Sequence, residues 1–163
     1  MRDFDKDFTH SDLVEIGYKW VMSRCSFAFK ELVTINSETP DVIGFNSNGT
    51  FLLEAKVSRP DFLSDKKKYF RKHPWMGMGD WRFFITPKGL LKIDELKHTV
   101  YPLDWGLIEV DTNGKAMCVY NPFGKGNIYH NWERFEKNKN AEKAVLYSAL
   151  RRMESNKVLQ NNL

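Results

Sequence analysis

At 163 residues and a net charge of +4, the chain has room for one hydrophobic core and is read as a single domain over 1–163. Its apolar share of 42%, with 14% aromatic residues, excludes disorder, and no apolar run of about 18 residues offers a membrane span. A pI near 9.0 permits a polyanionic partner without demanding one.

The start, Met1 to Asp5, is acidic and mixed, which predicts no secretory signal and a cytoplasmic protein, in the host cytoplasm if viral. Cys25 and Cys118 form no ligand-spaced pair, in keeping with a reducing compartment. After a polar lead over 1–9, Leu13, Ile16, Trp20 and Val21 recur at helical spacing. They predict a helix from about residue 11 to about residue 24, capped by Thr9 or Ser11. Phe27 to Val33 reads as a strand in which Glu31 shares a face with Phe27 and Phe29. A carboxylate continuing an apolar face is either functional or marks where the strand leaves the core.

Pro40 to Lys56 reads as a β-hairpin around Ser47-Asn48-Gly49, a polar turn whose glycine can take positive φ. Glu54 and Lys56 project from one side of the second strand, Leu53 and Ala55 from the other. A turn centred on Asn48-Gly49 sets Asp41 opposite Lys56; one centred on Ser47-Asn48 sets Asp41 opposite Glu54. Opposed residues share a face with Cβ atoms about 5 Å apart, so either register gathers Asp41, Glu54 and Lys56. Two carboxylates and an ammonium on a half-buried strand pair suit a divalent metal with an activated water. Ordinary cross-strand pairing of Glu54 and Lys56, with Asp41 as a strand-start cap, is the alternative.

Ser58 to Leu63 opens another helix, with Pro60 at its start and Asp61 in its first turn, and Pro74 ends it. The run Lys66 to Lys72 is strongly basic, either a solvated face or a phosphate-contacting surface. Its position just after the acidic hairpin favours the latter. Gly77 to Asp80 is a flexible loop, with Trp75 and Trp81 beside it available to pack in the core or to stack on a base. Trp81 to Thr86 is a core strand, Lys92 to Lys97 a short helix, and Trp105 to Val110 and Lys115 to Tyr120 a second strand pair. Ala141 to Glu154 is an amphipathic closing helix, followed by a frayed polar tail. His10, His73, His98 and His130 are scattered without metal spacing and read as structural or exposed. No nucleophile triad, zinc-finger, helix-turn-helix or Rossmann pattern is present. The order of elements is that of an α/β or α+β domain.

Pro40-Asp41, twelve further residues, then Glu54-Ala55-Lys56 resembles the signature of the PD-(D/E)xK nuclease superfamily. The continuation from Lys56 through Ser58-Arg59-Pro60-Asp61-Phe62-Leu63, with Gly106-Leu107-Ile108 later, resembles the MmcB-like branch associated with DNA repair, and small phage proteins of similar outline. The likeness covers roughly residues 10 to 111. It implies a restriction-endonuclease-like core, a mixed central sheet flanked by helices, and metal-dependent hydrolysis of phosphodiester bonds in nucleic acid, DNA before RNA. Asp41, Glu54 and the Ala55 carbonyl would hold Mg²⁺ or Mn²⁺, hard cations that oxygen ligands suit. Lys56 would stand beside the activated water. Members commonly add an acidic residue from the first helix or strand; Glu31 is the first choice here and Glu15 the second. Arg59, Lys66, Lys67 and Arg71 would meet phosphates. Glu38-Thr39 precedes the motif where members commonly bear Arg or another residue, and this third acid could alter the metal number or the approach of DNA. The competing expectation is a nuclease-fold module that binds nucleic acid or a protein without turnover. Homo-oligomers are compatible with the sequence and no membrane partner is expected.

Overall fold

A computed structural model describes residues 7–34, 38–98 and 103–161, with side chains to 157; the start of the polar lead, 1–6, and the last two residues lie outside it. Six strands form one sheet in chain order: β1 (Phe27–Lys30), β2 (Val42–Phe45), β3 (Thr50–Ala55), β4 (Trp81–Pro87), β5 (Gly106–Val110) and β6 (Ala116–Tyr120). β1, β2 and β3 are antiparallel, β3, β4 and β5 parallel, and β6 antiparallel to β5. The helices are α1 (His10–Met22), α2 (Arg59–Asp65), α3 (Tyr69–Lys72) and α4 (Lys139–Asn161). This is a mixed α/β architecture, a six-stranded mixed sheet flanked by helices, as expected.

The central strands are buried along their lengths because both faces are covered, which is why β3 and β4 read as near-continuous apolar runs. Thr9 caps α1 reciprocally: its hydroxyl accepts from the Asp12 N–H, and the Asp12 carboxylate accepts from the Thr9 N–H. Leu13, Val14, Gly17 and Val21 form the buried face, which packs on β1, β2 and β3. A Cβ at Gly44 would stand 2.1 Å from Val21 Cγ1, so glycine sets how closely the helix approaches the sheet.

The hairpin adopts the register centred on Ser47-Asn48. Val42 faces Leu53 and Phe45 faces Thr50, which sets Asp41 across from Glu54. The Asn46 side chain makes the choice, accepting from the N–H groups of Asn48 and Gly49. Gly49 does not use positive φ. It is needed because a Cβ there would meet Arg134, Asp80 and Trp81 within 2.8 Å.

Several sequence expectations are corrected. The first strand stops at Lys30: Glu31 turns to φ 47°, a left-handed conformation, while its N–H still donates across to Asp41 O. The helix expected to run from Ser58 to Pro74 is broken: Lys68 is extended at ψ 140°, separating α2 from α3. The turn directs both Lys68 and Arg71 back onto Asp65, a buried carboxylate at the end of α2. Ser58 caps α2 and Pro60 follows Arg59 within the first turn, where no backbone donor is needed. The short helix is 3₁₀ over Ile93–Leu96. α4 continues to Asn161 in place of fraying at Asn156; Ala141, Val145 and Ala149 are buried, whereas Leu150 and Met153 are exposed on its flank.

Candidate metal and phosphate site

Asp41 precedes β2 and Glu54 lies near the end of β3, so the hairpin register brings their side chains to one edge of one sheet face. The Asp41 carboxylate accepts from the Ala55 N–H through Oδ2 at 2.8 Å; its Oδ1 has no hydrogen-bond partner among the described residues. The N–H and C=O of one strand residue point to the same edge, so the Ala55 carbonyl is directed to the Asp41 side. The next residue hydrogen-bonds the other way, Lys56 N–H to Ile85 O.

Two further groups close on Asp41. His10 Nε2 lies 3.2 Å from Asp41 Oδ2, and His10 Nδ1 lies 3.6 Å from Glu31 Oε1. His10, Glu31 and Asp41 each offer a ligand atom within 4.8 Å of the others. The backbone supports this: the Glu31 N–H donates to Asp41 O, so the left-handed turn at Glu31 is tied to the first residue of the acidic pair. Strained backbone at a charged cluster fits a functional site.

Glu54 is 4% exposed. Burial first, and the Asp41 charge second, push its carboxyl up to about 7, against the pull of Arg71, Lys68 and Lys56. Lys68 Nζ is 3.5 Å and Arg71 Nη2 3.8 Å from the Glu54 oxygens. Glu54, Glu38, Lys68, Tyr69, Phe70 and Arg71 line a cavity of about 350 Å³. Glu38 is buried and accepts from the Met78 N–H; burial raises its pKa, while that hydrogen bond and Arg71 oppose the rise.

Lys56 follows β3 and is buried, with its ammonium 2.9 Å from Asp65 and 3.8 Å from Asp61. Asp65 also receives Lys68 at 3.1 Å and Arg71 through two contacts. Burial works against this carboxylate, yet Arg71 and Lys56 hold its pKa below 3.8. Asp65 thus gathers three cations beside Glu54.

The sequence-derived set is therefore sorted. The register sets Asp41 across from Glu54, the Asp41 carboxylate accepts from the Ala55 N–H, and Glu31 lies with Asp41 and His10 in a cluster that does not include Glu54. Glu15 lies outside it: it is exposed and bound to Lys30 at 2.6 Å, whose hydrogen bond lowers its pKa. Lys56 shares the face but is engaged by Asp65. Arg59 is committed to Glu95 and the Leu90 carbonyl. Arg71 is mostly buried, stacked 4.1 Å over Trp105 and paired with Asp65, and it faces the Glu54 cavity. Lys66 and Lys67 are exposed. His10, read as structural or exposed, is at the centre of the cluster, and Asp65 was not singled out. A carboxylate just before a lysine-rich run carries no spacing signal, but His10 next to the Thr9 cap marked a helix end that could face a hairpin. Trp81 is a core ring, with no room to stack on a base.

The chain is similar to a solved structure, a protein of unknown function from Silicibacter pomeroyi. The two are 19% identical over 93% of this chain and 94% of that one, with a TM-score of 0.53. That likeness concerns the fold. No protein-family model and no curated protein sequence matches the chain. No described helix is long and apolar enough to cross a membrane.

Proposed function

We propose that the chain is a divalent-metal-dependent nuclease of the PD-(D/E)xK type, acting on nucleic acid, with DNA the first candidate. The observation that carries the reading is the register that opposes Asp41 and Glu54 across the hairpin, with His10 and Glu31 converging on the same edge. Two carboxylates whose mutual repulsion helps drive one of them up to about 7 suit a cation that would relieve it. The donor set is oxygen-rich with one imidazole, which fits Mg²⁺ or Mn²⁺. Asp41, Glu54 and the Ala55 carbonyl would hold the ion, with Glu31 and His10 beside them. When bound, such an ion would polarise a phosphoryl oxygen and lower the pKa of a water that could act as nucleophile.

The chain's own residues do the rest. Asp65 fixes Lys56, Lys68 and Arg71 as a preorganised cluster of positive charge next to Glu54, where charge on a phosphate would grow. The cavity that Lys68 and Arg71 share with Glu38 and Tyr69 would receive that phosphate. Glu31 holds His10 from one side while Asp41 holds it from the other, which fixes the imidazole at the edge of the site.

One observation favours the second reading, a module that binds without turnover: the Lys56 ammonium is occupied by Asp65. Incubation with DNA and RNA as single strands, duplexes and branches, with Mg²⁺, Mn²⁺ or EDTA, separates the two. Metal-dependent cleavage abolished by Glu54→Ala and by Lys56→Ala is the expected outcome. Equal activity in the Glu54→Ala protein identifies a contaminant and ends the nuclease reading. Binding without cutting on every substrate leaves the binding module.

A further inference from the structure

A row of rings lies next to the phosphate cavity. Tyr69, at the start of α3, is 55% exposed, and Trp75, in the 3₁₀ turn Pro74–Met76, is 47% exposed. His73 lies between them, stacked on Tyr69 at 4.2 Å and 22°, and meeting Trp75 edge-on at 5.4 Å. The His73 ring Nδ1 is 3.1 Å from the Tyr69 carbonyl. Large rings in water cost hydration unless something covers them.

The row is continuous with the site. Tyr69 lines the cavity that holds Glu54, and Lys68, the residue before it, has its ammonium 3.5 Å from the Glu54 carboxylate. Lys66 and Lys67, exposed and immediately before Lys68 in the chain, add further positive charge. The turn carrying Trp75 is anchored from below: the buried Arg82 guanidinium donates to the carbonyls of Pro74 and Gly77. A rigid aromatic surface flanked by cations matches a strand whose bases are free to stack while its phosphates meet lysine. In a duplex those base faces are already stacked and out of reach.

We infer that Tyr69, His73 and Trp75 form a stacking platform for an unpaired strand, so that the substrate delivered to the Glu54 edge is single-stranded. The inference rests on the nuclease reading for its purpose, but its test reads binding without cleavage. A labelled single strand of about 15 nucleotides, and the duplex of the same sequence, are titrated in EDTA and followed by fluorescence anisotropy. Tyr69→Ala and Trp75→Ala are each expected to weaken single-strand binding roughly 10-fold, the usual worth of a base–aromatic stack, and to leave duplex binding nearly unchanged. Tyr69→Phe, which keeps a ring, is expected to bind as the wild type does. Lys66→Ala with Lys67→Ala is expected to weaken both forms alike. Circular dichroism melts check that each variant is folded.

Unchanged single-strand affinity in both ring variants overturns the platform. So does an equal loss for strand and duplex, or capture of a protein partner by a chain that binds neither form of nucleic acid. If the wild type cuts with metal while the ring variants bind normally, the platform falls and the nuclease stands. If the ring variants lose single-strand affinity and the wild type cuts nothing, the platform stands and the nuclease falls.

Discussion

The charge state of Glu54 in the metal-free protein gives the sharpest physical prediction. An acid pushed from 4.5 to about 7 in the fold binds a proton more tightly there than in the unfolded chain. Between those values the native state holds more protons than the unfolded state, so stability falls as pH rises through that window. At about 1.36 kcal/mol per pH unit, the gap amounts to roughly 3 kcal/mol of instability, complete above about pH 7 and absent below about pH 4. Glu54→Gln removes the titrating group at nearly constant shape. Urea denaturation in EDTA across this range should show the variant gaining on the wild type by roughly 3 kcal/mol between pH 4 and pH 8. The gain should shrink in an Asp41→Asn background, because the Asp41 charge is the second cause of the shift. Parallel stability curves for wild type and variant would refute the reasoning, as would a wild type that gains on the variant with rising pH.

Three further outcomes follow from the same geometry. Asp65→Asn leaves Lys56, Lys68 and Arg71 without their common counter-ion and should cost about 3–5 kcal/mol at neutral pH. Because the Asp65 carboxylate is held below 3.8, that penalty should fade as pH drops past this value, read from denaturation of both proteins in acid. Glu31→Gly releases a left-handed residue and should stabilise the metal-free protein by about 1 kcal/mol while reducing any melting shift on adding Mn²⁺; a destabilised metal-free protein would contradict this. Gly44→Ala drives a Cβ into Val21 and should cost about 1–3 kcal/mol in thermal melts, without a specific effect on metal affinity.

Much of this was legible in the residues. Alternation placed Glu54 and Lys56 on one face, the turn residues placed Asp41 within reach, and the buried strands declared themselves as apolar runs. The choice of register was not legible, since Ser47-Asn48 and Asn48-Gly49 are both good turn centres and Asn46 decides between them by a side-chain bond. His10 was missed because only the tertiary approach of Glu31 and Asp41 makes a lone histidine a candidate ligand. Periodicity carried α2 through to Pro74, whereas the attraction of Lys68 and Arg71 to a buried Asp65 breaks the helix. Glu31 was read as either functional or the point where the strand leaves the core; it lies just past the strand end, in a left-handed backbone state that its side-chain chemistry does not announce.

Titration of the purified chain with Mn²⁺, followed by calorimetry at neutral pH, tests the proposed metal centre most directly. The site predicts saturable binding that Asp41→Asn and Glu54→Gln each abolish or weaken severely, while Glu15→Gln binds as the wild type does. No saturable binding, or binding that survives loss of both Asp41 and Glu54, would contradict it.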